Sequence, residues 1–135
     1  MNAALLIAHA PLASALRQAA LHVLPDAAGA LAAVDVRADE APEAVFAAIG
    51  AALDALLPAA GEGALLLADV PGATPCNVAQ RILAEDGRRL RLLAGVSLPM
   101  LLRALSYRRE PLDCMAERAL EGGHIAMLSM SAIDD

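Results

Sequence analysis

Two apolar runs in this chain stop on residues that can do chemistry together. A-A-L-L-I-A (3–8) gives way to His9, and G-A-L-L-L-A (63–68) gives way to Asp69. Set side by side, a histidine and a carboxylate make an oriented nucleophile. The carboxylate accepts the N–H of one imidazole nitrogen, which fixes the tautomer and leaves a lone pair on the other. That nitrogen can attack a phosphorus atom, provided the surroundings stabilise the phosphoryl group. The stretch V-P-G-A-T-P (70–75) offers such surroundings. Gly72 lets the backbone come close, Thr74 carries a hydroxyl, and a helix beginning there points free N–H groups and its positive dipole end at an anion. Neither loop contains an arginine, so backbone N–H groups must carry most of the electrostatic work.

The pair works only if its two runs are neighbouring strands that end at one rim. Strand-length apolar runs alternate with segments of helical period. After the first strand (3–8), Pro11 opens a helix to about Val23, with Leu12, Leu16, Ala19 and Val23 on one face. L-A-A-V-D-V (31–36) is a second strand, and Pro42 starts a second helix with Val45, Ile49, Ala52, Leu53 and Leu56 inward. The third strand (63–69) is followed by a turn and a helix to about residue 84. There Thr74 is expected as N-cap, Pro75 as first helical residue and Asn77 three residues past the cap. A fourth strand spans 91–96, Ser97 caps the next helix, residues 112–121 form another, and H-I-A-M-L-S-M-S (124–131) is a final strand. This alternation predicts an α/β, doubly wound, mostly parallel sheet with helices on both faces; right-handed crossovers leave two common strand orders, of which the one expected here is 2-1-3-4. In that order the first and third strands are neighbours, and the crevice at their carboxyl ends is the topological switch point where ligands bind. Three helices, beginning near residues 11, 75 and 98, start at that edge.

With 135 residues the chain has the size of one domain, taken as 1–135. It is 59% hydrophobic, yet Pro, Asp, Arg or Gly interrupts every apolar run before it reaches the roughly 20 residues of a membrane span. The N-terminus carries no positively charged leader, so a cytoplasmic location is expected. A net charge of −6 with no basic cluster argues against nucleic acid, and only Phe46 and Tyr107 could stack on a base or a sugar. Cys76 and Cys114 form neither a disulfide framework nor a zinc site, and no metal or cofactor is expected. His22 and His124 lack ligand partners at metal spacing. Met100, Met115, Met127 and Met130 read as packing, and Arg88, Arg89, Arg108 and Arg109 as solvated surface.

Three stretches together resemble the IIA component (EIIA) of the mannose-type (mannose/fructose/sorbose) bacterial phosphotransferase system. The strand ending in His9 is similar to that family's phosphorylated-histidine segment. D-V-P-G-A-T-P-C-N (69–77) resembles its D-x-x-G-G/A-S/T-P-x-N loop, and L-L-A-G-V-S-L-P-M-L-L (92–102) its A-G-V-N-L/I-P-M-L segment. The chain departs from the family at Ala10, where glycine is usual, and at Ser97, where asparagine is usual. The resemblance implies that phospho-HPr gives its phosphoryl group to Nε2 of His9 while Asp69 holds the other ring nitrogen. Gly72, Ala73 and Thr74 would wrap the phosphoryl group and Asn77 would pin the loop. It further implies passage to a separate IIB protein, contact with the membrane only through IIC and IID partners, and a homodimer. In that dimer the C-terminal strand (124–131) is exchanged and pairs antiparallel with the partner's sheet.

The donor and the acceptor would dock on one surface, an apolar rim around His9 supplied by Leu12, Val70, Pro71 and Met100. A second reading is a regulatory EIIA-like protein whose phosphorylation at His9 controls binding to a target, with no sugar transport. The phosphotransfer subunit of dihydroxyacetone kinase shares the fold and histidine, but P-x-N after Thr74 speaks for the mannose type. An ordinary nucleotide-binding domain is disfavoured, because H-A-P-L-A rather than G-x-G-x-x-G follows the first strand.

Overall fold

The computed structural model describes residues 1–58 and 62–133. Strands β1 (Ala3–His9), β2 (Leu31–Val36), β3 (Ala64–Ala68) and β4 (Leu90–Leu93) form one sheet of order β2-β1-β3-β4. Every pairing is parallel, with Leu5 opposite Ala32 on one side and Leu66 on the other. Helices α1 (Leu12–Val23), α2 (Pro42–Leu56), α3 (Thr74–Glu85), α4 (Leu98–Ser106) and α5 (Leu112–Ile125) follow the strands, α4 and α5 both coming after β4. A 3-10 segment, Pro25–Ala30, links α1 to β2.

The unbroken apolar runs of β1 and β3 arise because both faces of the sheet are covered. Successive side chains point to opposite faces. Ala4, Leu6, Ala8, Leu65 and Leu67 therefore pack with α1, α4 and α5. Leu5, Ile7, Ala64 and Leu66 pack with α2 and α3. Leu5, Leu6, Ile7, Leu65, Leu66 and Leu67 are fully buried. On α2, Val45, Ile49 and Leu53 are buried as the helical spacing requires.

Four expectations about the elements are corrected. The buried face of α1 is formed by Ala13 and Ala20, with Leu16 alongside, whereas Leu12 and Val23 are exposed. So many alanines leave little contrast between the faces, and close approach to the sheet favours the small side chains. Pro11 lies at the N-cap, one residue before α1, not in its first turn. Strand β4 stops at Leu93 because Gly95 turns to positive φ (+79°); Gly95 and Val96 instead donate N–H bonds to the carbonyls of Asp69 and Ala68. Residues 124–131 form no strand: α5 runs on through His124 and Ile125, and 127–131 follow in irregular structure.

The last of these has two causes. Gly122 and Gly123 keep α5 against α4, where an added Cβ would lie 2.8 Å from Arg103 Cβ and 3.1 Å from Met100 Cε. Beyond them, an alternating segment is a strand only where another strand accepts its hydrogen bonds. Arg108, expected on the surface, is also largely covered; it donates to the Leu105 carbonyl and lies 3.3 Å from Asp26.

Layer and rim respond differently to truncation. Leu66→Ala opens a cavity in the layer under α2 and α3 and is expected to cost about 2–5 kcal/mol in urea unfolding. Leu12→Ala, at a position 40% exposed, is expected to cost less than about 0.5 kcal/mol.

Candidate functional site

The adjacency of β1 and β3 brings His9 and Asp69 together at the carboxyl edge. The last β1–β3 pair is Ile7 with Ala68, so each residue emerges just beyond the paired region. One carboxylate oxygen of Asp69, Oδ2, accepts both the His9 backbone N–H at 3.0 Å and the His9 ring Nδ1 at 2.8 Å. The other, Oδ1, accepts the Val70 N–H at 2.8 Å. The aspartate side chain is 9% exposed and the histidine 48%. Burial pushes the Asp69 carboxyl up, but the His9 and Val70 hydrogen bonds outweigh it and hold the group below its ordinary value. Asp69 is therefore an anion and can only accept, so Nδ1 carries the proton and Nε2 the free lone pair. The geometry provides a half-exposed histidine oriented by a carboxylate, with Nε2 the ring nitrogen that Asp69 does not engage.

The 70–75 loop curls beside this pair. Gly72 takes φ +85°, a conformation favouring glycine, and Asn77 Nδ2 donates to the Gly72 carbonyl at 3.1 Å across the turn. Ala73 and Thr74 are half-buried, and Gly72 and Asn77 are exposed. Thr74 is not the N-cap: Ala73 holds that position, Thr74 and Pro75 begin α3, and no side chain caps the helix. Its first turn is thus left open toward the crevice. Cys76 lies buried in that turn, whereas Cys114 is exposed on α5. Among the described residues, no group of three or more His, Cys, Asp or Glu could hold a metal ion.

At the other two helices of this edge a side chain takes one first-turn N–H each. Ser97 Oγ accepts the Met100 N–H at 3.3 Å and caps α4, as its position in the sequence suggests. At α1, Asp35 reaches across from β2: Oδ1 accepts the Ser14 N–H at 3.0 Å and Oδ2 accepts the Ser14 hydroxyl. This contact was not read from the sequence. Its one signal is an acid inside L-A-A-V-D-V, paired with Ala8 and so facing the α1 side of the sheet. Of the rim residues, Leu12, Val70 and Pro71 are exposed, but Met100 is 3% exposed and belongs to the core against Gly123.

The family model described as "PTS system fructose IIA component" matches residues 3–117. The chain belongs to this family, the mannose-type EIIA. A stretch of 44 residues is 50% identical to the "PTS system fructose-specific EIIA component" of Bacillus subtilis (strain 168), covering 33% of this chain and 30% of that protein. The EIIA fold recurs in the mannose/sorbose specific IIA subunit from Enterococcus faecalis, at TM-score 0.85 and 24% identity over 98% of this chain and 97% of that one. It recurs again in the phosphotransferase system component EIIA from Streptococcus agalactiae, at TM-score 0.78 and 20% identity over 96% and 97%. Membership of the family makes the chain a component of the sugar phosphotransferase system. No described helix is long and apolar enough to cross a membrane.

The Asp69 carboxylate has a pH signature. Its folded value is lowered, so the stability it contributes is fully present above the ordinary carboxylate range and is lost as pH falls through the folded value. Asp69→Asn is therefore expected to lower the urea midpoint most near pH 6. The gap from wild type should shrink below about pH 4. A gap constant from pH 6 to pH 2 would show that the carboxylate charge plays no part.

Proposed function

We propose that the chain is a cytoplasmic phosphocarrier of the sugar phosphotransferase system. It accepts a phosphoryl group from phospho-HPr on His9 and passes it to a separate IIB protein. The observation that carries this reading is the 2.8 Å contact between Asp69 and Nδ1 of His9, which leaves Nε2 as the free nucleophile at the edge of the sheet.

In the transfer, the Nε2 lone pair attacks phosphorus and a new P–N bond forms. The P–N bond of the donor breaks, and its electron pair returns to the donor imidazole. The Nδ1 proton stays in place, so the phosphorylated ring gains positive charge, which the anionic Asp69 offsets. Gly72, Ala73 and Thr74 line the phosphoryl site; the Ala73 N–H is taken by the Val70 carbonyl at 3.3 Å, so the Gly72 and Thr74 N–H groups and the uncapped start of α3 supply the donors, and Asn77 keeps the loop in shape. Onward transfer is the reverse step toward IIB. Leu12, Val70 and Pro71 form the apolar rim on which both partners dock in turn. The protein needs no cofactor or metal for this chemistry, and it meets the membrane only through IIC and IID partners.

Residues 1–135 act as one domain, and two copies associate through the segment 124–131. Support for this comes from its unusual exposure of apolar side chains: Ile125 57%, Met127 75%, Leu128 68% and Met130 83%. Surface of this kind marks an interaction site. In the dimer, residues 127–131, which lie beyond α5, supply an antiparallel strand to the partner's sheet.

Phosphoenolpyruvate, Enzyme I and HPr are expected to add one acid-labile phosphoryl group, read by intact mass, and His9→Ala to add none. Asp69→Asn should slow the transfer by roughly 10²-fold or more, because the tautomer is no longer fixed. Labelling of His9→Ala would sink the assignment. Removal of residues 126–135 is expected to convert a dimer to a monomer in sedimentation velocity; an unchanged mass would place the dimer contact elsewhere.

A further inference from the structure

One acid stands at the helix end that follows His9. On the α1 side, the Ala10 N–H is bonded to the Val36 carbonyl at 2.9 Å, and Pro11 has no N–H to give. The next helix-end donor with a partner is the Ser14 N–H, which Asp35 accepts together with the Ser14 hydroxyl. Both partners of Asp35 are neutral, so they satisfy its oxygens without cancelling its charge. Asp35 pairs in register with Ala8, one residue before His9. By strand spacing it lies within about 10 Å of the histidine backbone. At α4 the same capping task is done by the neutral hydroxyl of Ser97. At α3 nothing caps the helix.

We propose that Asp35 tunes the phosphoryl-transfer potential of His9: its uncancelled charge fills the positive end of α1 and repels the phosphoryl group. This rests on the carrier reading above and adds a role for a residue that does not touch the reacting atoms. A phosphoryl group carries about −1.5 to −2 charges. A carboxylate near it raises the free energy of phospho-His9 relative to the free histidine, and neutralising one helix end removes a favourable dipole. Both effects have the same sign. They keep the bound group ready to leave and confine it to the Gly72–Thr74 side.

The test is the equilibrium between phospho-HPr and this chain, read as the ratio of phosphorylated forms by intact mass. Asp35→Asn keeps the shape of the side chain and an oxygen for the Ser14 N–H but removes the charge. It should shift the equilibrium toward phospho-His9 by roughly three- to tenfold at low salt. The shift should shrink at about 0.5 M salt, where screening is strong. Ser14→Ala, which keeps the charge, should stay within about twofold of wild type. If Asp35→Asn does not fold, Asp35→Ser removes the charge in its place. An unchanged equilibrium, or one shifted toward phospho-HPr, overturns the proposal. If HPr labels neither wild type nor variant, the carrier reading fails separately. The rates of His9 phosphorylation by phosphoramidate, a small anionic donor, are then compared. A faster variant with a salt-dependent advantage sustains the role of Asp35, and equal rates overturn it.

Discussion

The parallel pairing of β1 with β3, buried on both faces, is the constraint from which the rest follows. Two strands this apolar have no polar side chain before their ends, so the first groups able to do chemistry are His9 and Asp69, where the chain leaves the layers. Because the pairing is parallel, both exits lie at one edge. From there the chain turns to opposite faces, into α1 beneath one layer and α3 beneath the other. A crevice opens between the departing segments. The histidine–carboxylate contact is thus a consequence of topology. Asp69 adds rigidity by holding the backbone of His9 and Val70 as well as the ring.

The electrostatics of that edge are set by how its three helix ends are filled. A neutral hydroxyl caps α4, a carboxylate caps α1, and α3 is left open. No arginine lies in the loops that follow β1 and β3. A site that retained a dianion would recruit guanidinium groups, which bind phosphate bidentately. An edge that relies on backbone N–H groups and one helix dipole stabilises an anion less. Such an edge fits the proposed carrier role, in which the group accepted must also be released.

Much of this was legible in the residues, and what was not has identifiable causes. Strands β1 and β3 follow from their unbroken apolar runs, and crossover handedness narrows the strand order to two, in one of which His9 meets Asp69, as observed. Those signals are strong because a doubly covered strand tolerates no polar residue. The face of α1 was misread because alanine carries little information: Ala13 and Ala20 are buried while Leu12 and Val23 are exposed. Thr74 has the composition of a cap, yet the loop places Ala73 there, since the turn at Gly72 fixes where the helix can begin. The Asp35–Ser14 contact spans 21 residues, and only the fold reveals that they meet.

The end of the chain shows how local pattern and tertiary contact compete. Glycines usually weaken a helix, so Gly122 and Gly123 look like a stop before an alternating strand. Packing reverses that expectation. The two glycines lie where α5 presses on Arg103 and Met100 of α4, and the missing Cβ atoms make the close approach possible. The helix therefore continues to Ile125, and the apolar residues beyond it are left without a layer to enter. Within one chain, β1 and β3 occupy the centre of the sheet and β2 and β4 its edges. A further strand can join only at an edge. The edge at β4 is tied to the site itself, because Gly95 and Val96 just beyond it donate to the Asp69 and Ala68 carbonyls.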